Sequence, residues 1–160
     1  MDLLARREHS RQELQQKLIT RLRRESAETE VPQSEITKPL EILEQVLDQL
    51  EADKLLSDVR FAESFVSARS HRGYGPLYIR HQLRQKQLDD ALLQNSLDAI
   101  EQEQWLQQLL NLISRKIGEA PIPSPLSKEF QRLQRFVLAR GFTPTQWREA
   151  QKEWKDRQKS

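Results

Sequence analysis

The side chains that most often carry out chemistry in proteins are scarce in this sequence and do not form a catalytic or metal-binding pattern. The 160 residues include no cysteine, which excludes a disulfide framework, a zinc–thiolate site and a thiol nucleophile. The histidines His9, His71 and His81 lack the spacing of metal ligands, and we expect His71 and His81 on the surface. A helix cap explains the adjacent Asp89 and Asp90 better than a metal site.

Motifs for phosphate binding and nucleophilic catalysis are also missing from the sequence. The segment Gly73-Tyr74-Gly75-Pro76 is too short for a phosphate-binding glycine loop and lacks its pattern. No set of serine, histidine and aspartate has the sequence context of a nucleophile elbow. We therefore predict no catalytic residue, no metal ligand and no cofactor, and we expect that the protein is not an enzyme.

Basic side chains that could bind anions are concentrated around Tyr74 and Tyr78. Arg80 and Arg84 are four residues apart, so they share one face of a helix. The candidate contact residues in this part of the chain are Arg69, Arg72, Tyr74, Arg80, Arg84 and Lys86. Guanidinium groups bind carboxylates or phosphates through paired N–H groups, so the cluster indicates an anionic partner of either kind. Tyr74 could stack on a base or pack under the glycine turn, and we favour packing.

The distribution of charge also favours an anionic partner, although the formal net charge is only +2. Residues 24–58 carry ten acids and three bases, residues 59–86 one acid and six bases, and residues 128–160 four acids and nine bases. The candidate contacts in the last segment are Arg132, Arg135 and Arg140, and Lys128 extends their stripe. Ordinary solvated helix faces would give a similar asymmetry, so composition leaves both interpretations open.

Helices must position these side chains, because helix start and stop signals are frequent and strand-like alternation is not evident. The predicted helix starts are a capping box at Ser10 to Glu13, then Ser57 or Asp58, Asp89, Ser127 and Thr143-Pro144. The predicted helix ends are Gly73 with Gly75, Gly118 and Gly141. Residues 23–38 are acidic and without periodicity, so we predict a flexible linker there.

Apolar positions recur along the chain. At a constant offset of 54 residues, Ile79, Leu83, Leu88 and Leu93 match Leu133, Val137, Phe142 and Trp147. Leu14 and Leu18 match the first two at an offset of 65. We predict an all-α fold, an elongated array of three tandem three-helix repeats of helix-turn-helix-like units, over residues 1–56, 57–100 and 101–160. Chance matching between amphipathic helices is the alternative.

The same offsets align Arg21, Lys86 and Arg140 near the predicted end of the second helix in each repeat. One interpretation is a cation that complements the helix dipole, which contributes about 0.3–1 kcal/mol. The other is a repeated contact with a polymeric partner that presents the same anionic group many times. Apolar runs are only a few residues long and no signal-peptide stretch begins the chain, so we expect no membrane span.

Two segments resemble the RecX family of recombination regulators, LARREHSRQEL (4–14) and RFAESFVSARSHRGYGPLYIRHQLRQKQL (60–88). RFVLARGF (135–142) resembles the family's third segment. The sequence departs from the family at Gln87, where glycine often follows the lysine equivalent to Lys86, so we expect a different turn before Leu88. Family members usually carry residues upstream, so the first helix would be cut short at Met1.

The resemblance implies a stack of three-helix repeats and a bacterial cytoplasmic protein. It also implies that the chain lies along the groove of the RecA filament on single-stranded DNA and lowers ATP hydrolysis, strand exchange and co-protease activity. The expected partner is the RecA filament, with single-stranded or double-stranded DNA as a further candidate, and the expected state is a monomer. The alternative hypotheses are a module that binds DNA directly through basic helix faces, and a scaffold that joins other partners.

Overall fold

The structure, a computed structural model, describes residues 8–28 and 37–159. These residues form eight α-helices and no strand. In chain order the helices are α1 (Arg11–Glu28), α2 (Thr37–Ala52), α3 (Asp58–His71), α4 (Pro76–Arg84), α5 (Asp90–Asp98), α6 (Gln102–Ile117), α7 (Lys128–Ala139) and α8 (Pro144–Arg157). The prediction of an all-helical protein is confirmed.

The predicted caps determine where helices begin and end. The capping side chains, with the distance from their oxygen to a backbone nitrogen of the first turn, are Ser10 (3.1 Å), Ser57 (3.3 Å), Asp89 (2.9 Å), Ser127 (3.1 Å) and Thr143 (3.1 Å). For α3 the cap is therefore Ser57 and not Asp58. The glycines after α3, α6 and α7 have φ angles of 80°, 65° and 88°, which most residues avoid.

Helices α3 to α8 share one hydrophobic core, as the repeat predicts. All eight residues matched at the offset of 54 are buried, and they are Ile79, Leu83, Leu88, Leu93, Leu133, Val137, Phe142 and Trp147. Phe61 and Trp105, each the fourth residue of its helix, are buried in the same core. The recurrence thus reflects equivalent core positions in successive units, while the exact repeat boundaries stay a prediction.

Helices α1 and α2 have a smaller core of their own, which contains Leu14, Leu43, Leu47 and Leu56. The prediction of a flexible linker over residues 23–38 is wrong at both ends, because α1 continues to Glu28 and α2 begins at Thr37. Leu18 and Leu22 pack against this core, and an ion pair from Arg21 to Glu25 at 2.9 Å joins successive turns. Residues 29–36 lie outside the described residues.

Arg11 joins the first two helices electrostatically. Its guanidinium group donates to Glu44 at 2.9 Å, Asp48 at 2.7 Å and Glu51 at 2.7 Å, all on α2. Its backbone N–H donates to Asp58 at 2.7 Å, at the start of α3. Burial alone would lower the Arg11 pKa, but the hydrogen bonds and charges of these α2 carboxylates raise it overall. The cation therefore stays charged and holds three acidic groups of α2, while the backbone N–H of Arg11 binds a fourth at the start of α3.

The turn after α4 keeps a glycine-like geometry without glycine. Gln87 has φ of 54°, in the left-handed region, although an L side chain is unfavourable there. Gly141, which lies 54 residues after Gln87 and is its counterpart in the next repeat, has φ of 88°. The turn before Leu88 is therefore left-handed like its counterpart before Phe142, so the expectation that Gln87 would alter it is wrong.

Candidate functional site

The turn between α3 and α4 meets the turn between α7 and α8 backbone to backbone. The N–H of Gly75 donates to the carbonyl oxygen of Arg140 at 2.7 Å, and the N–H of Leu77 donates to that of Gly141 at 3.0 Å. A Cβ atom on Gly75 would lie 2.5 Å from the carbonyl of Gly141, which is too close. Glycine at both positions therefore allows the two turns to touch, and the contact brings Tyr74 beside Arg140.

A row of alternating aromatic and basic side chains follows this contact. We call it the cation–aromatic row, and its members in spatial order are Phe65, Arg69, Tyr74, Arg140, Phe136 and Lys116. The Arg69 Cζ atom lies 5.0 Å from the ring centre of Phe65 and 5.8 Å from that of Tyr74. The Arg140 Cζ atom lies 4.8 Å from the Tyr74 ring centre and 5.4 Å from that of Phe136. Each arginine thus lies within cation–π distance of two rings.

The rings of the row are packed within the protein. Tyr74 stacks on Tyr78, with ring centres 4.3 Å apart and an angle of 17° between the planes. Tyr74 and Phe136 are half-buried and pack against the main core. Tyr74 is therefore packed within the protein, as we expected. Its ring contacts Tyr78 and the two arginines and does not offer a free face on which a base could stack.

A shallow cleft of about 180 Å³ lies at one end of the row, between α6 and α7. Its lining residues are Arg72, Leu112, Arg115, Lys116, Phe136 and Arg140. The Lys116 Nζ atom lies 5.1 Å from the Phe136 ring centre. Gly73, with φ of 80°, lies so close to Leu112 that a Cβ atom there would be 3.0 Å from its Cδ1 atom. The absence of a side chain at Gly73 therefore lets the α3–α4 turn form one wall of the cleft.

The cations of the row and its cleft are not neutralised within the described part of the chain. None of Arg69, Arg72, Arg115, Lys116 and Arg140 lies within ion-pair distance of a described carboxylate. Arg84 and Lys86, by contrast, do have such partners, Asp90 at 3.0 Å and Glu13 at 3.9 Å. Five positive charges thus lie near one another, three on exposed and two on half-buried side chains, and the rings limit the motion of three of them. Such an arrangement can bind an anionic group with little loss of side-chain entropy.

The other predicted contact residues lie elsewhere. Arg84 pairs with Asp90 at 3.0 Å, and Arg80 donates to Gln94 at 2.5 Å, so both side chains turn onto α5. Lys86 lies 3.9 Å from Glu13, at the junction with α1. Three basic residues are exposed on α7, and they are Lys128, Arg132 and Arg135.

The proposed alignment of three cations at helix ends holds for two of them. Lys86 follows the end of α4 and Arg140 caps the end of α7. The prediction for Arg21 is wrong, because α1 extends seven residues past it. Its leucines continue to pack there, so the helix does not stop where its counterparts do.

Sequence reasoning missed five residues of this site, which are Phe65, Leu112, Arg115, Lys116 and Phe136. A signal for two of them was present, because basic residues shortly precede the glycine that ends each of α3 and α6. No comparable signal marked Leu112 or the two phenylalanines, which look like ordinary core positions.

His71 and His81 are exposed as predicted, whereas His9 is buried, with its Nδ1 atom 3.5 Å from Glu13. Within residues 8–28 and 37–159, no group of three or more acidic, histidine or cysteine side chains could hold a metal ion. The same residues include no helix that is both long and apolar enough to cross a membrane.

The fold and the site define an all-helical protein that is built from repeated three-helix units and carries ordered, unpaired cations. Its residues 57–97 match the family model described as RecX, second three-helix domain. The regulatory protein RecX of Pseudomonas entomophila is 39% identical over 143 residues, which cover 89% of this chain and 81% of that protein. The regulatory protein RecX of Serratia proteamaculans is 36% identical over 149 residues, which cover 89% of this chain and 87% of that protein. The chain therefore belongs to the RecX family, whose matched members are named regulatory proteins.

Solved structures support the fold. A crystal structure of RecX from Lactobacillus salivarius superposes with a TM-score of 0.70 at 16% identity, over 96% of this chain and 90% of that one. A second crystal structure, of regulatory protein RecX, gives a TM-score of 0.65 at 20% identity. The superposition covers 94% of this chain and 67% of that one. At these identities the agreement concerns the helical repeat fold.

Proposed function

We propose that this chain binds the RecA recombinase filament in the bacterial cytoplasm, as a monomer, and lowers its ATPase, strand-exchange and co-protease activities without enzymatic activity of its own. Membership of the RecX family supports this role. The observation that carries it is the set of unpaired cations on Arg69, Arg72 and Arg140, which are available to carboxylates of a partner. Their proposed role is to pair with acidic groups of the recombinase.

The proposal is tested by titration of the chain into RecA assembled on single-stranded DNA, with ATP hydrolysis as the signal. We expect the hydrolysis rate to fall with added chain until it reaches a plateau. An unchanged rate at saturating chain, with the chain shown to be folded, would contradict the proposal. Sedimentation of the filament in the same samples reports binding independently of inhibition.

Direct DNA binding is the second candidate function. The observation that favours it is the exposed stripe of Lys128, Arg132 and Arg135, which could follow a phosphate backbone. Binding to bare single strands should then weaken with the logarithm of salt concentration, with a slope of about −0.7 per phosphate contact. Tight binding of this kind, together with no effect on recombinase ATPase, would favour the DNA-binding function over the regulatory one.

A further inference from the structure

We propose that the cleft between α6 and α7 is the anchor of the partner interface, and that it takes one carboxylate side chain from an acidic, partly apolar protein segment. The residues that would hold it are Arg72, Leu112, Arg115, Lys116, Phe136 and Arg140. The identity of the partner rests on the proposed function, whereas the chemistry of the cleft rests on its own residues.

The size of the cleft favours a single side chain. Its volume is about 180 Å³. Pockets that enclose whole small-molecule ligands usually have about 300–1,000 Å³, so a nucleotide or cofactor would not be enclosed here. An aspartate or glutamate side chain, which ends in one compact anionic group, matches this space.

The lining of the cleft combines cations with an apolar floor. Leu112 is 5% exposed and forms the floor, while the ring of Phe136 lies beside Lys116 and Arg140. The Nε atom of Arg115 donates to the carbonyl oxygen of Asn111 at 3.2 Å, which leaves the two terminal nitrogens available to a ligand. A carboxylate can thus meet guanidinium groups while its methylene groups contact Leu112 and Phe136.

The state of the aromatic rings favours a protein segment over nucleic acid. Proteins that bind single strands usually offer aromatic faces on which bases stack. Here Tyr74 is stacked on Tyr78 and flanked by arginines, and Phe136 is flanked by two cations. The rings therefore order the basic groups and do not provide a platform for bases.

The test uses the full chain and two tetrapeptides, acetyl-Leu-Glu-Asp-Leu-amide and its neutral counterpart acetyl-Leu-Gln-Asn-Leu-amide, with NMR detection of the arginine Nε–Hε signals. We expect the acidic peptide to shift the signals of Arg115 and Arg140, and the neutral one to leave them in place. The double variant Arg115→Gln with Lys116→Gln should weaken acidic-peptide binding about tenfold. Arg148→Gln, an exposed α8 position outside the cleft, is the matched control and should have no effect.

In the peptide titration, three results would overturn the inference. They are equal binding of the neutral peptide, an equal loss in Arg148→Gln, and tighter binding of a twelve-nucleotide oligothymidylate at the same signals. The filament assay separates this inference from the proposed function. If the cleft variant inhibits RecA as well as the wild type does, the cleft is not the anchor of the interface, while the proposed function is unaffected. A wild-type chain without effect on RecA would remove the function, while the peptide titration would still decide the chemistry of the cleft.

Discussion

Arg140 combines two roles at one position. Its carbonyl oxygen accepts the hydrogen bond from Gly75 that joins two turns, and its side chain lies against Tyr74 and Phe136. The first contact fixes the backbone and the second restricts the guanidinium group. Each cation–π contact of this kind contributes about 0.5–1 kcal/mol at an exposed site. The charge is therefore positioned before any partner arrives.

Replacement of Tyr74 by leucine removes the ring that supports Arg69 and Arg140. We expect affinity for the RecA filament to fall about five- to thirtyfold, because two cation–π contacts of about 0.5–1 kcal/mol are lost. Tyr74→Phe retains the ring and is the matched control. Filament sedimentation measures both affinities, and equal affinities for the two variants would contradict the positioning role of the ring.

Gly75→Ala tests the contact between the two turns. Gly75 has an ordinary φ of −86°, so the backbone itself accepts alanine, but the new Cβ atom would collide with Gly141. We expect the free energy of unfolding to fall by about 1–3 kcal/mol, as for other overpacked sites. Urea denaturation measures this loss.

The control for this substitution is Gly118→Ala, whose Cβ atom would have no neighbour within 4 Å although its φ of 65° is unfavourable. NMR signals of Gly141 and Phe142 should shift only in the Gly75 variant. A shift of the same size in both variants, or an unchanged stability of Gly75→Ala, would show that the turns are not in close contact.

At the scale of elements, the helices that the sequence predicts best are those with a local signal at each end. Ser57, Asp89, Ser127 and Thr143 cap helices because an N-cap depends on residues within one turn. The continuation of α1 past Arg21 was not predictable in this way, since it accompanies packing of Leu22 against a core that α2 completes. The contact of Lys116 with Phe136 joins helices separated by a proline-containing loop, so no local pattern could indicate it.

Gln87→Gly is expected to stabilise the protein by about 0.5–1 kcal/mol. Relief of the left-handed strain at φ of 54° contributes about 1–2 kcal/mol, and the greater freedom of glycine in the unfolded chain offsets part of it. Gln85→Gly is the control, because Gln85 has a helical φ of −62° and glycine there should destabilise. Urea midpoints that move in the same direction for both variants would contradict this explanation.

Arg11→Gln tests the electrostatic link between α1 and α2. Without the cation, the acidic groups Glu44, Asp48 and Glu51 would repel one another, so we expect a loss of about 1–2 kcal/mol in low salt. Because the pKa of Arg11 is raised, its contribution is complete below its ordinary pKa and persists through the physiological range. Salt should reduce the loss, and a loss that is equal in low and high salt would contradict a charge-based link.

At the scale of the whole molecule, the chain divides chemically along its length. The acidic helix α2 belongs to a small separate core, whereas the unpaired cations lie on the larger core of α3 to α8. The repeat and the positions of most core residues followed from periodicity alone. The candidate site could be predicted from the sequence only in part. The sequence indicated basic residues, but it could not distinguish paired cations such as Arg84 from unpaired ones such as Arg140.

The central claim is that the cation–aromatic row, and not the arginines of α4, contacts the recombinase filament. The most direct test compares two double charge reversals in the RecA ATPase titration, Arg69→Glu with Arg140→Glu against Arg80→Glu with Arg84→Glu. Urea denaturation first establishes that both variants are folded. We expect the row variant to need at least about tenfold more chain for half-inhibition, as the loss of charge-assisted contacts predicts, and the α4 variant to stay close to the wild type. An equal loss in both variants, or a larger loss in the α4 variant, would contradict the account.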